Sequence, residues 1–318
     1  MTADGPPDHD DRQYLVHGLV VTSAAELPIP PCEPGPADVV YRDERTPREI
    51  PAARHVRSDD PDDPWVTEYW TDEGLIVDFP GWAMFEVARD RVDLIADDTD
   101  DPDLVAHLLL DHVLPRLVAL RGDLMLHAAG AVGPSGRAHL FLGPTGTGKS
   151  TLATALAAAG WPLLDDDGVR LVAVDDVWCA VPGYAGVRLL PDSAEAVVPL
   201  LPAGRPMAKG HDKHRYAVDG TTLTMATGPA PIGAVYVLER TDTPTAHTST
   251  LGFGDRLTAL VEHGFHLADE PAAITRQAFE RAAAVAAEAD VRRLLVPSGL
   301  ESLAATIALL RRVDAEFS

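Results

Sequence analysis

The sequence predicts an α/β fold built around a phosphate-binding P-loop and preceded by a small, mostly β N-terminal region. Three observations predict it. The run Gly143-Pro144-Thr145-Gly146-Thr147-Gly148-Lys149-Ser150 fits G-x-x-x-x-G-K-[ST]. An apolar run, Ala138-His139-Leu140-Phe141-Leu142, precedes it, and a segment rich in helix formers follows from Thr151, with Gly160 placed to end the helix. Before residue 100 the chain consists of short apolar runs broken by Pro and Asp, whereas helical spacing dominates its last third.

The loop composition has a direct physical reading. Glycines let the backbone curl so that successive N–H groups point at phosphate oxygens. A lysine at position 149 reaches the β- and γ-phosphates, and a Ser150 hydroxyl binds the Mg²⁺ that bridges them. Gly143 through Ser150, with Thr151 on the first helical turn, therefore form the expected nucleotide-binding set. The motif names a nucleoside triphosphate; it names neither the base nor the reaction.

Taken in order, residues 1–12 read as a disordered tail, acidic and without the apolar core of a signal peptide. Strands are expected at 14–22, 38–41, 65–69, 74–78, 84–87 and 92–95. Residues 104–120 are apolar at helical spacing, with Pro115 kinking or splitting the helix. A strand over 124–132 leads into the P-loop strand. After the loop helix, a short strand at 161–164 ends in Asp165-Asp166-Asp167. Strands at 170–174 and 177–181 form a hairpin around Asp175-Asp176, because Asp favours turns. A helix is expected at 192–201, a mobile polar loop at 203–215 and a strand at 234–239. Helices at 255–260, 274–288 and 300–313 follow, with a strand at 293–296. This divides the chain into the tail, a mostly β region at 13–100 suited to holding an acceptor, and a catalytic α/β unit at 101–318.

Composition sets limits. The chain has 318 residues, is 46% hydrophobic and carries a formal charge of −23, with a pI near 4.7. That charge argues against general nucleic-acid binding and against anionic membranes. No apolar stretch approaches the ~18 residues of a membrane span. The two cysteines, Cys32 and Cys179, have no metal-site spacing. Reduced, buried thiols are their expected state, in keeping with a cytoplasmic protein.

Phosphoryl transfer needs a carboxylate for Mg²⁺ and benefits from one near the acceptor hydroxyl. Two acidic clusters compete. Asp175-Asp176 imitates a Walker B ending but reads better as a turn. Asp166 and Asp167 follow the strand after the loop helix, whose C-terminal end faces the phosphates in an open α/β sheet. Asp167, with Ser150, is assigned to the metal, and the Asp166/Asp167 pair to catalysis. Lysine occurs only at 149, 209 and 213. Lys213 and Arg215 therefore lie in a basic loop that either closes over the polyphosphate or is an ordinary surface loop. Arg188 is a phosphate contact or a surface arginine. His127 is structural or functional.

The order His127-Ala128, the P-loop, Gly160, then Leu164-Asp165-Asp166-Asp167-Gly168-Val169 resembles the catalytic domain of the HPr kinase/phosphorylase family. That family shows Met-His-Gly, then G-x-S-G-x-G-K-S, then a helix ending in Gly, then Leu-Ile-Ala-Asp-Asp-Arg-Val. The match covers roughly residues 120–240. Leu126-His127-Ala128, Val187-Arg188-Leu189-Leu190-Pro191-Asp192 and Lys213-x-Arg215 are similar to a divergent branch that includes lasso-peptide precursor kinases. The resemblance implies a fold of the phosphoenolpyruvate carboxykinase/HPr kinase type. It also implies a functional His127, an oligomer, and an ATP- and Mg²⁺-dependent kinase acting on Ser of a peptide or protein. The family's Glu-x-Arg-Gly-x-Gly segment, linked with phosphorolysis, is absent, so neither phosphorolysis nor HPr as acceptor is expected. A small-molecule alcohol kinase is the second reading. A nucleotide-binding regulator or scaffold with little catalysis is the third.

Overall fold

In the structure, a computed structural model, the described residues are 11–45, 55–58, 65–71, 74–99, 101–199, 201, 203–208, 212–265 and 272–318. The expected tail at 1–10 and Lys209 lie outside them. Arg12, read as part of the tail, instead opens the first strand.

The N-terminal strands join into one eight-stranded sheet. They are β1 (Arg12–Val16), β2 (Leu19–Ser23), β3 (Val39–Asp43), β4 (His55–Ser58), β5 (Thr67–Trp70), β6 (Leu75–Phe79), β7 (Ala83–Val87) and β8 (Arg91–Asp97). The expected single strand at 14–22 is a hairpin. His17 (φ 50°) and Gly18 (φ 71°) turn the chain between β1 and β2, and two successive positive φ values make the tight turn that fits strand twist. β3 joins β2 and β8 in parallel, and β4 to β8 form an antiparallel meander.

One face of this sheet is covered by a single helical rod. It comprises α1 (Pro102–Leu108), a π-helical turn at Leu109–Val113 and α2 (Leu114–Leu120). Asp101 caps it, its side chain accepting the N–H groups of Asp103 and Leu104. Pro115 neither ends nor splits the rod. Its absent N–H would have bonded the Asp111 carbonyl four residues back, and the wider π turn absorbs that missing bond. Leu108, Leu109, Leu110, Val113, Leu114 and Leu117 are fully buried against Phe79, Phe85 and Leu94. Burial of each such side chain stabilises the fold by roughly 1.5–3 kcal/mol.

The remainder is a mixed sheet of nine strands with helices on both faces. Its elements are β9 (Leu124–His127), β10 (Ala129–Val132), β11 (Ala138–Leu142), α3 (Lys149–Ala158), β12 (Leu163–Asp165), β13 (Gly168–Val174) and β14 (Val177–Val181). After a small separate sheet come β18 (Ala230–Thr241), β19 (His247–Thr250), α5 (Phe253–Glu262), α6 (Ala272–Glu288), β20 (Asp290–Pro297) and α7 (Leu303–Asp314). β11 and β18 run parallel, as do β18 and β20. β12 does not pair with the loop strand, because β10 stands between them, antiparallel to both. The expected strand over 124–132 is broken at Ala128, whose N–H bonds the Asp167 carbonyl; β9 then pairs with β13, and β10 with β11 and β12. Phe141 packs on the side of Leu156, Tyr236 and Leu310. Leu140 and Leu142 pack on the opposite side with Leu260 and Val285. This period-2 alternation sandwiches β11 between two cores.

The small sheet holds β15 (Gly186–Leu189), β16 (Arg205–Pro206) and β17 (His214–Ala217), with α4 (Pro191–Val197) beside it. Residues 203–215 were expected as a loop, but the segment contributes two strands, and Arg215 is a buried strand residue. Among the described residues, no helix is long and apolar enough to cross a membrane.

Candidate functional site

The glycine loop joins β11 to α3, and the C-terminal ends of β11, β12, β18 and β20 point to the same side. Gly146 (φ 83°) and Gly148 (φ 95°) hold left-handed backbone that a side chain would strain. At Gly143 a Cβ would sit 2.9 Å from the Leu238 carbonyl oxygen. The loop thus lies directly on β18. Thr147 Oγ1 donates to the Pro144 carbonyl at 2.8 Å. Lys149 Nζ donates to the Gly143 carbonyl at 2.6 Å, and the side chain is buried. Burial first, then the cations Lys213 and Arg188, push the Lys149 ammonium down to about 8. Ser150 Oγ donates to the Asp166 carbonyl at 3.0 Å, which ties α3 to the acidic turn.

That turn links β12 to β13, and its three carboxyls have different surroundings. Asp165 shapes the turn: its Oδ1 accepts the N–H groups of Asp167 (2.8 Å) and Gly168 (3.1 Å). Burial and the neighbouring Asp166 push its carboxyl well above the usual range. Asp166 is 1% exposed. Its Oδ2 accepts the Arg188 backbone N–H at 3.0 Å, and its Oδ1 lies 3.4 Å from Arg188 Nε. Asp167 reaches solvent, with its side chain 23% exposed, and its Oδ1 lies 3.4 Å from His127 Nδ1. The expected catalytic pair is thus separated: Asp166 is turned inward to Arg188, and only Asp167 faces the open site.

His127 ends β9, where its backbone N–H bonds the His263 carbonyl at 2.7 Å. Burial, Lys149 and Arg188 lower its imidazole to about 3, so the ring is neutral at pH 7. Arg188, on β15, is buried and bridges three acids: Asp166, Asp167 (Nη2 to Oδ1, 3.0 Å) and Asp111 (Nη1 to Oδ1, 3.2 Å). Asp111 projects from the π turn. It also accepts Tyr184 OH (2.7 Å) and Arg215 Nη2 (2.8 Å), and its Oδ2 pairs with His107 Nδ1 (2.6 Å). Despite full burial, these cations and His107 hold its carboxyl well below the usual range. Arg215, expected at phosphate or acceptor, instead lies under the site against Asp111 and the Tyr184 ring.

Two cavities flank this constellation. One, about 350 Å³, is lined by 145–152 of the loop and helix, with Leu190, Arg240 and Leu300. The other, about 500 Å³, is lined by Trp65, His107, His112, Met207, Glu262, His263, Gly264 and Phe265. His127, Thr145, Asp167, Arg188 and Lys213 line both. Among the expected residues, Lys149, Ser150, Asp167, His127, Arg188 and Lys213 therefore come together, while Asp166 and Arg215 do not reach either cavity. Among the described residues, no three His, Cys, Asp or Glu side chains are arranged to hold a metal alone.

Sequence reasoning missed Asp111, Tyr184, His107, Arg240 and the 263–265 segment. Asp111 had a signal: it is an acid following Leu108-Leu109-Leu110 in an apolar helix, with His107 four residues before it. Arg240 carried none, because a strand-end arginine is ordinary.

No protein-family model and no curated protein matches the chain. Among solved structures, an HPr(Ser) kinase/phosphatase from Coxiella burnetii aligns at 13% identity, covering 60% of this chain and 91% of its own, with a TM-score of 0.35. A likeness that distant assigns neither fold nor activity, so the site stands on its own geometry.

Proposed function

We propose that this protein is an ATP- and Mg²⁺-dependent phosphotransferase that moves the γ-phosphate to a hydroxyl, foremost a serine of a peptide or protein. The observation that carries the reading is the pair of cavities meeting at Asp167, His127, Arg188 and Lys213. One cavity has a glycine loop and a helix N-terminus for its wall, and the other is open to a second molecule. A donor–acceptor reaction needs such a junction, whereas simple nucleotide storage does not.

The residues present fit the implied nucleotide and metal. The loop is glycine-dependent: a Cβ at 143 would meet the Leu238 carbonyl of β18, and one at 148 the Arg240 guanidinium. The α3 N-terminus and Lys149, Arg188, Lys213 and Arg240 concentrate positive charge in a chain of charge −23. Ser150 Oγ and the Asp167 carboxylate are the groups that would hold Mg²⁺. One or two protein oxygens suffice for this ion, which takes its other ligands from phosphates and water. A Mg²⁺ ion held by these groups would supply neutralisation of phosphate charge.

The protein's own groups have distinct tasks. Lys149 and Lys213, which line the same cavity, would screen phosphate charge there. Asp167 accepts the hydroxyl proton or orients the hydroxyl for attack. Neutral His127, beside Asp167, serves as a hydrogen-bond partner and not as a cation. Arg188 fixes Asp167 and brings positive charge to the junction, while Asp166 positions Arg188. Transfer of label from [γ-³²P]ATP to a serine-peptide panel tests the reading. An Asp167→Asn enzyme that still binds MgATP and transfers at the wild-type rate would contradict it. The volume of the second cavity, about 500 Å³ and of small-molecule size, favours a small-molecule alcohol as the second reading. Product analysis on an alcohol panel separates the two.

A further inference from the structure

The second cavity has walls of a particular chemistry. Away from the junction its lining includes Trp65, His112, His263, Phe265 and Met207. Trp65 is 38% exposed, and its ring meets His112 edge-on at 4.7 Å and 74°. Phe265 is half-buried and meets His127 edge-on at 6.2 Å and 72°. Phe265 is fixed by its N–H to the Met125 carbonyl at 2.8 Å. Burial lowers His112 and His263 from the ordinary histidine value, so these rings carry no charge at pH 7.

The ionised groups are sparse and asymmetrically placed. Arg188, Lys213 and Asp167 belong to the junction, where the phosphoryl group would pass. Among the described residues, the carboxylate private to this cavity is the exposed Glu262, and the chain as a whole is at −23. An anionic ligand would find, among the described residues, no cation beyond Arg188 and Lys213 of the junction. A ring, in contrast, finds faces and edges of four aromatic side chains, a geometry that favours it over an aliphatic group of equal shape.

We infer that this cavity takes a hydroxyl borne beside an aromatic ring, on an acceptor that is neutral or cationic. The fate of that hydroxyl rests on the phosphotransferase reading; ring-selective binding rests on the cavity walls. A free aromatic alcohol and an aromatic-flanked serine share this chemistry, and the test has an arm for each.

The test measures binding without turnover, by saturation-transfer NMR titration of the full chain. The small-molecule arm compares 2-phenylethanol with 2-cyclohexylethanol. The peptide arm compares amidated serine pentapeptides flanked by Phe, by cyclohexylalanine or by Glu. In at least one arm the aromatic member is expected to bind about fivefold more tightly than its saturated twin, and the Glu peptide most weakly. Trp65→Leu and Phe265→Leu, each checked for a wild-type melting profile, should bring the twins to within about twofold of each other. Equal affinity of the twins in both arms, an advantage that survives in both variants, a preference for the Glu peptide, or no binding in either arm would overturn the inference. Ring-selective binding with no phosphate transfer from MgATP would instead contradict the phosphotransferase reading alone.

Discussion

Lys149 and Asp167 are the two side chains on which the proposed chemistry turns, and each makes a distinct prediction. Lys149 titrates near 8 because it is buried among other cations. Phosphate binding requires its protonated form. ATP affinity should therefore be constant below pH 7 and fall as pH rises through about 8, by up to about tenfold per unit; titration calorimetry from pH 6.5 to 9.5 reads this directly. Lys149→Gln should remove the pH step along with most of the affinity. Asp167→Asn should weaken MgATP binding, because the carboxylate is assigned to the metal, and lower transfer at saturating MgATP by about 10²–10⁴. The two aspartates are adjacent in sequence, yet they differ in environment. Asp166 is enclosed with Arg188, so Asp166→Asn should act mainly through stability, lowering the melting temperature together with kcat.

Among the elements, the π turn at Leu109–Val113 has the largest consequence. It carries Asp111 out of the helix that covers the first sheet and into contact with Arg188, Arg215, Tyr184 and His107. The N-terminal sheet's helix is thereby coupled to the residue that holds Asp167. Asp111→Leu removes the anion shared by two buried guanidinium groups, and the expected loss is about 3–5 kcal/mol by urea unfolding. The sequence shows why parts of this were legible. A buried acid in an apolar helix is visible, and Asp175-Asp176 was recognisable as a turn, which its two positive φ values bear out. The break at Ala128 was not legible, because residues 124–132 are apolar on both sides of it. It arises from a change of strand partner, a tertiary event with no local signature. Residues 203–215 were read as a loop for the converse reason: the segment's polarity is local, but Arg215 is buried by distant Asp111 and Tyr184.

At the scale of the whole molecule, acid stability follows from five buried or half-buried imidazoles. His17, His112, His127, His139 and His263 all titrate below the ordinary 6.5. The unfolded chain therefore binds more protons than the native one between their native values and 6.5, and stability falls as pH drops through that window. His17, 2% exposed and lowered to about 4, contributes on the order of 3 kcal/mol of that loss. Asp165 opposes this trend, since its raised carboxyl makes the native state the better proton binder above the ordinary 3.8. With five imidazoles against two carboxyls, Asp165 and the half-buried Asp78, the urea midpoint should fall from pH 7 to pH 4.5. A midpoint that rises over that interval would contradict the burial of these rings. The mixed α/β character was legible from the apolar periods, because period-2 and helical runs alternate as they do in the structure. The eight-strand N-terminal sheet was visible only as separate short runs, since strand order depends on contacts such as β3 with β8 that join residues about 50 positions apart.

The most direct measurement follows phosphate from [γ-³²P]ATP with Mg²⁺ in wild type and in Asp167→Asn, across serine peptides and free alcohols, with MgATP affinity measured in parallel. The account predicts labelled acceptor from the wild type and, at saturating MgATP, little or none from the variant, which also binds MgATP more weakly. A wild-type chain that does not bind MgATP, or a variant that labels acceptor as fast as the wild type, would contradict it.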